Sequence, residues 1–453
     1  MISLTKELKI QETSGRRRIR VSTNFLDRFG FKPETRLTAR VRGAGFDLLP
    51  SLDSASPWKV HRRSYPQRRN NPTESVIDIS LGEGLSPIVP CGVERLHYTF
   101  TSGCIQVRPV YAPLFHVRRS MKSSPTMASF MAMSSGLDAH AFARAGFDIR
   151  GLLEYRPGEV RDTVDLTESG VCTFLANHKP SVVFNEDISR VDMDRVRRSV
   201  GRNIGALALL QIGLQCDDFS TVKSPRLKRE EMLSFRPATR ELGHYALRLV
   251  EALTPATLMV ENVAGWNGSE AQAIFGAVLA RMGYHVHARV LDAEDFGALT
   301  KRPRTYLVAS CWPGFEFPEP SGANAVPLRE ILGAELSNCR DVSHTSSVKD
   351  AAGTPRERFC SIDAPVVRSV LKSQARQAKD SLYFKERDGA LLLPSLRALK
   401  ILHGLPESFD LGQVSTEVAI EQIGQGVDIP LHLAMAGALH KHILLNSGCV
   451  QVA

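Results

Sequence analysis

The sequence has no apolar run of the roughly 20 residues that a membrane-spanning helix requires, which argues against a helical membrane anchor. Its opening, MISLTKELKI, lacks the basic-then-apolar order of a secretory signal, so the expected location is the cytosol. None of the eight cysteines forms a C-x-x-C pair, and no Cys/His group has zinc spacing. A disulfide framework and a structural metal site are therefore both unexpected, and the cysteines read as free thiols.

Acidic charge is scarce at one end. Residues 1–124 carry 21 Lys+Arg against 10 Asp+Glu, whereas the rest of the 453-residue chain carries 36 against 38. The whole net charge of +9 thus comes from the N-terminal quarter. One-ended basicity suits a module that binds a polyanion, because each cation placed near a phosphate releases condensed counterions. On charge alone, a merely solvated basic surface is an equal alternative.

A chain of this length suits two or three domains. Residues 16–50 alternate apolar and polar residues between turn signals such as Lys32-Pro33 and Gly43-Ala44-Gly45, the pattern of short strands joined by hairpins. The stretch RLTARVRGAGFDLLP at 36–50 is echoed by RLHYTFTSGCIQVRP at 95–109, a hairpin duplicated at a period of 59 residues. We expect a basic β-rich module over 1–112. After Pro113, strand-like runs (TMASFMAM, IRGLLEY, SVVF, ALALLQIG, TLMVENV, HVHARVL, TYLVASC) alternate with helix-length segments, which predicts an α/β, Rossmann-like, doubly wound parallel sheet over 125–311. From Trp312 to Gly389 this rhythm fails in a Pro-, Ser- and charge-rich segment that reads as a small inserted domain. Regular structure returns over 390–453.

Ligands of open parallel sheets sit beyond the carboxyl ends of the strands. There the sequence places Cys216 in IGLQCDDFS, Glu261-Asn262-Val263 after TLMV, and Arg302 and Arg304 in TKRPR. Each has a plain alternative: an inert buried thiol, a helix cap, a solvated arginine. Their occurrence together on one rim is what points to chemistry.

Residues 125–453 resemble the DNA (cytosine-5) methyltransferases. The family's nucleophile loop is similar to Gly213-Leu214-Gln215-Cys216 followed by Phe219-Ser220, its Glu-Asn-Val to Glu261-Asn262-Val263, and its paired arginines to Arg302 and Arg304. The stretch SLRALKILHGLPESF and Ile423-Gly424-Gln425-Gly426-Val427 resemble its closing motifs. The resemblance implies that Cys216 adds to C6 of a flipped cytosine, that Glu261 holds and protonates N3, that Arg302 and Arg304 hold the base, and that S-adenosylmethionine supplies the methyl group. It implies cofactor contacts from Met131, Met133, Ser135, Gly136, Leu137, Glu154, Asp187, Ile188, Gly213, Gln425 and Val427. It implies a bacterial cytosol or nucleoid as the setting and double-stranded DNA as the partner, with a cognate restriction endonuclease an open possibility. It assigns 312–389 to target recognition.

Three positions depart from the family pattern. Met131-Ala132-Met133-Ser134-Ser135-Gly136 stands where a glycine-rich turn is expected, and Met133 opposes the positive φ and the close approach that glycine permits. Gln215 and Gln425 replace a proline and an asparagine. The competing readings are a catalytically eroded DNA-binding protein of the same fold, or a cytosine-modifying enzyme that uses RNA or another one-carbon donor. The N-terminal stretch RIRVSTNFLDRFGFKPETRL also looks like the swapped-hairpin DNA-binding domains of bacterial transition-state regulators.

Overall fold

A computed structural model describes residues 2–13, 15–82, 85–90, 92–159, 162–215, 219 and 239–448. The chain forms two compact units, Met1–Phe115 and His116–Ala453.

The first unit contains β1 (Leu4–Lys9), β2 (Gln11–Thr13), β3 (Arg16–Thr23), β4 (Arg36–Arg42), β5 (Gly45–Ser51), β6 (Trp58–Ser64), β7 (Thr73–Ser80), β8 (Arg95–Thr101) and β9 (Cys104–Val110). Their order is β1-β8-β9-β5-β4-β6-β7-β3-β2. Only Ile10 separates β1 from β2, so the two ends of the sheet are one continuous strand and the sheet closes into a barrel. Alternate residues turn inward, burying Ile19, Val21, Phe46, Leu48, Ile77, Ile79, Phe100, Ile105 and Val107.

The duplicated hairpins are β4–β5 and β8–β9, whose bounds differ by the 59-residue period at every end. They meet along β5 and β9, where Phe46 pairs with Val107 and Leu48 with Ile105. The counterpart of Phe46 is Ile105 and that of Leu48 is Val107, so the repeat exchanges the two pairs. The halves are thus related by a pseudo-two-fold axis through the pair Asp47 and Gln106. Around the barrel, hairpins from the two halves alternate.

The second unit is built on β10 (Ala128–Ala132), β11 (Asp148–Leu153), β12 (Val182–Phe184), β13 (Leu209–Gly213), β14 (Thr257–Val263), β15 (His285–Asp292) and β17 (Pro303–Ser310), with β16 (Thr300–Lys301) outside this sheet. Their order is β12-β11-β10-β13-β14-β17-β15. The first five strands are parallel, as the sequence predicts. The TYLVASC run does not continue that pattern: β17 lies antiparallel to both β14 and β15. Chain direction reverses because β15 and β17 are joined by the short connection 293–302, too short to carry a parallel crossover helix.

From β10 the chain steps to β11 on one side and later reaches β13 on the other, so the switch point of the sheet falls between β10 and β13. Beyond Trp312, the pairs Arg340–Asp341, Phe359–Ser361, Tyr383–Lys385 and Leu391–Leu393 form a separate four-stranded sheet. This small sheet runs slightly past Gly389. Val367–Arg368 pairs with β16 and ties the segment back to the larger unit.

Candidate active site

The residues singled out in the sequence gather at the carboxyl ends of β10 to β14. Cys216 itself lies outside the described residues. β13 ends at Gly213, whose backbone faces Glu261 on β14. Phe219 returns to the same region, since a Cβ on Gly265 would stand 2.4 Å from its carbonyl oxygen. The described residues Gly213 and Phe219 thus both lie near the end of β14.

Glu261 is paired across the β14–β17 ladder. Its register partner is Tyr306, and Arg304 sits two residues along β17 on the same face, within diagonal reach. Arg304 Nε donates to Glu261 Oε1 at 2.9 Å. Burial pushes the Glu261 carboxyl above the usual carboxylate range, against the opposing pull of Arg304 and Arg302. The neighbouring Asn262 is buried, and its Oδ1 accepts from the Val263 amide at 2.7 Å.

The structure divides the two arginines, which the sequence places on the same task. Arg302 is buried and donates to the carbonyls of Val370, Gly424 and Gly426 at 2.9, 3.0 and 2.6 Å, and its guanidinium lies 3.6 Å from Asp428. It clamps the closing motif and the 367–370 segment to the core. Arg304 is paired with Glu261, whereas the hydrogen bonds of Arg302 run to the backbone of these two segments. Asp428, a residue with no signal in the sequence motifs, also accepts from Thr300 Oγ1 at 2.8 Å.

The turn after β10 keeps its shape without its glycines. Met133 holds a φ of 56°, a left-handed conformation that costs a non-glycine residue about 1–2 kcal/mol. Its amide donates to Leu153 O at 2.7 Å, and its carbonyl fills the space left by Gly213, where a Cβ would stand 2.6 Å away. Gly136 has a φ of 102°, and a Cβ there would come within 3.2 Å of the Phe174 backbone, so this last glycine is required twice over. Ser134 Oγ accepts from the Gly136 amide at 3.1 Å and donates to the Asp138 carboxylate. A serine and a buried aspartate thereby brace the turn. Met131 and Leu137 are buried beside it, while Ser135 is half-buried.

Acidic groups line the adjoining strand ends. Glu154 follows β11 and is half-buried, with its carboxylate so close over Gly170 that a Cβ there would stand 2.6 Å from Oε1. Burial, reinforced by the negative charge of Asp138, pushes its carboxyl up to about 8. Burial likewise raises Asp138 to about 6, against its bond from Ser134. Asp187 follows β12, where its Oδ1 accepts from the Ser189 amide at 2.8 Å, and Ile188 is buried next to it. Gln425 and Val427 come from the end of helix Thr416–Gln425, where a Cβ on Gly426 would stand 2.4 Å from a Leu137 methyl group. The closing motif thus meets the β10 turn. Sequence reasoning missed Ser134, Asp138 and Asp428; an acid in the first turn of a helix reads as an ordinary capping charge.

A profile described as C-5 cytosine-specific DNA methylase matches residues 131–441. The chain is 28% identical over 252 residues to Type II methyltransferase M.BsuFI of Bacillus subtilis, a match covering 52% of this chain and 58% of the relative. It is 32% identical over 184 residues to Type II methyltransferase M.NaeI of Lentzea aerocolonigenes, covering 39% of this chain and 41% of that protein. The match thus spans about half the length of these relatives. In structure, 70% of this chain superposes on 98% of S. pombe Dnmt2 methyltransferase with a TM-score of 0.53 at 17% identity. The similarity to Entamoeba histolytica methyltransferase EhMeth is of the same kind, with a TM-score of 0.54 at 12% identity over 70% of this chain and 98% of that one.

Proposed function

The chain belongs to the C-5 cytosine-specific DNA methylase family, and from that premise we propose that it transfers a methyl group to C5 of cytosine in double-stranded DNA. The observation that carries the reading is the Glu261–Arg304 pair at the end of β14, beside the strand that leads into Cys216.

Cytosine C5 is a weak carbon nucleophile while the ring is aromatic. Addition of the Cys216 thiolate to C6 converts the ring to an enamine, and covalent catalysis divides one hard step into easier ones. The addition places negative charge on the pyrimidine. Glu261, raised above its usual range by burial, is suited to deliver a proton to N3 at that moment. Arg304 fixes the orientation of that carboxyl and supplies positive charge where the base charge develops. Arg302 acts at one remove by holding Gly424 and Gly426 in place. Loss of the C5 proton and departure of the Cys216 sulfur then restore the ring. The base must leave the stack to reach these groups.

S-adenosylmethionine fits the residues at the β10, β11 and β12 ends. Three acidic side chains, Asp138, Glu154 and Asp187, follow these strands. Carboxyl groups so placed can exchange hydrogen bonds with the hydroxyl and amino groups of a ligand. Glu154 would take the ribose hydroxyls and Asp187 and Ile188 the adenine side, while the turn Met133–Gly136, with Leu137 and Val427, encloses the remainder. When bound, this cofactor supplies the electrophilic methyl group. The shape retained by Met133 weighs against an eroded cofactor loop. We assign 1–112 to DNA binding and 312–389 to target recognition. The test is methyl transfer to duplex DNA located by bisulfite sequencing: protected cytosines at a fixed sequence support the reading, and uniformly converted DNA from a preparation that binds cofactor overturns it.

A further inference from the structure

The pseudo-symmetry of the N-terminal barrel exposes one feature that the fold itself does not need. Hairpin β2–β3 and hairpin β6–β7 are counterparts, with β2 and β6 flanking the central β3–β7 pair from opposite sides. In the first half, Thr13 pairs directly with Arg16, and the hairpin turns across two residues. In the second half, the ladder continues through Ser64 and Thr73, and eight residues, 65–72, follow before the chain returns. Barrel closure is met by the short version, so the long one is an addition.

That addition is cationic and ordered. No acidic residue occurs between Asp53 and Glu74, a stretch holding Lys59, Arg62, Arg63, Arg68 and Arg69. Tyr65 continues the ladder, its amide donating to Pro72 O at 2.6 Å, and the Arg68 amide donates back to Tyr65 O at 3.0 Å. The Arg68 guanidinium lies 3.8 Å from the Tyr65 ring centre and donates to Glu74 at 3.0 Å, so it holds the tip together. Pro66 and Pro72 restrict the backbone further. Arg62, Arg63 and Arg69 are exposed along this braced arm, with the Arg63 guanidinium 5.1 Å from the centre of the tyrosine ring.

We propose that the 62–72 arm is the principal phosphate-contacting element of the N-terminal unit and lies along a duplex DNA backbone through Arg62, Arg63 and Arg69. The proposal rests on the reading that this unit binds DNA, and it narrows that reading to one hairpin. Guanidinium groups on a preorganised arm suit phosphate oxygens, and a partner that neutralises several fixed cations at once must itself be a regularly spaced polyanion.

The test uses the full chain and a short duplex, with affinity measured by fluorescence anisotropy between about 50 and 200 mM salt. The variant combining Arg62→Gln, Arg63→Gln and Arg69→Gln should lower the log–log salt slope by about 0.9 per arginine, or about 2.7 in all. Replacing residues 65–72 with Asn-Gly, which restores the short turn of the first half, should also flatten the slope while leaving thermal unfolding of the barrel unchanged. A double variant, Arg40→Gln with Arg42→Gln, on the other hairpin should keep the parental slope. An unchanged slope in the triple variant overturns the proposal. If deletion of residues 1–115 flattens the slope while the triple variant does not, the arm is wrong and the module stands; if neither changes it, both readings fall.

Discussion

Glu261 is drawn two ways: burial favours its protonated form, and Arg304 at 2.9 Å favours its anion. A general acid that must release and regain a proton within one cycle benefits from that balance. Glu261→Gln should leave DNA binding nearly intact and slow single-turnover methyl transfer by about 100-fold or more, the scale of a lost general acid. The two arginines separate by measurement. Arg304→Met should abolish turnover with little change in urea stability. Arg302→Met should instead destabilise the fold by about 3–5 kcal/mol, because it strands the buried Asp428 carboxylate. A third prediction concerns pH. Glu154 rises from 4.5 to about 8 in the folded protein, so the folded state binds this proton more tightly than the unfolded chain does. Its contribution to stability is therefore complete below about 4.5 and is lost as pH rises through about 8. Glu154→Gln removes that loss, and its Tm advantage over the parent should grow across this window and then level off. At this scale the sequence named Glu261, Arg304 and Glu154 because motif spacing and strand ends mark them. The hydrogen bonds of Arg302 were not legible, since they run to carbonyls at 370, 424 and 426 that only the tertiary fold brings together.

Among the elements, the glycines that matter are those where backbone meets backbone. A Cβ on Gly424 would stand 2.4 Å from Leu371 O and 2.9 Å from Lys372 N, neither of which is a flexible side-chain end. Gly424→Ala should separate helix Thr416–Gln425 from the 371–372 segment and cost about 1–3 kcal/mol by urea unfolding, typical of overpacking. Gly426→Ala meets the end of the Leu137 side chain, which can rotate aside, and should cost less. The β10 turn shows that a missing glycine does not imply a missing conformation: Met133 adopts the left-handed geometry under tertiary constraint. Strand identities were readable from short apolar runs, and the hairpin repeat from turn residues and spacing. The reversed direction of β17 was not, because a short apolar run looks the same in a parallel or an antiparallel ladder. Nor was closure of the first barrel, which depends on the single residue Ile10 between β1 and β2.

At the scale of the whole molecule, the chain couples a unit with 18 Lys+Arg against 10 Asp+Glu to a larger unit that is close to neutral, with 39 against 38. Deleting residues 1–115 should weaken duplex binding and flatten its salt dependence, while cofactor affinity by calorimetry stays at the parental value. Sequence preference should persist, since phosphate contacts position a protein without specifying sequence. The central claim is covalent attack by Cys216 at the site organised by Glu261 and Arg304. Its most direct test is incubation with duplex DNA carrying 5-fluorocytosine at the target position, with and without S-adenosylmethionine, followed by denaturing electrophoresis. Fluorine blocks the final elimination, so we expect a denaturant-stable protein–DNA complex that requires the cofactor and disappears in Cys216→Ser. A preparation that methylates ordinary DNA yet forms no such complex, or a Cys216→Ser protein that still forms it, would contradict the account.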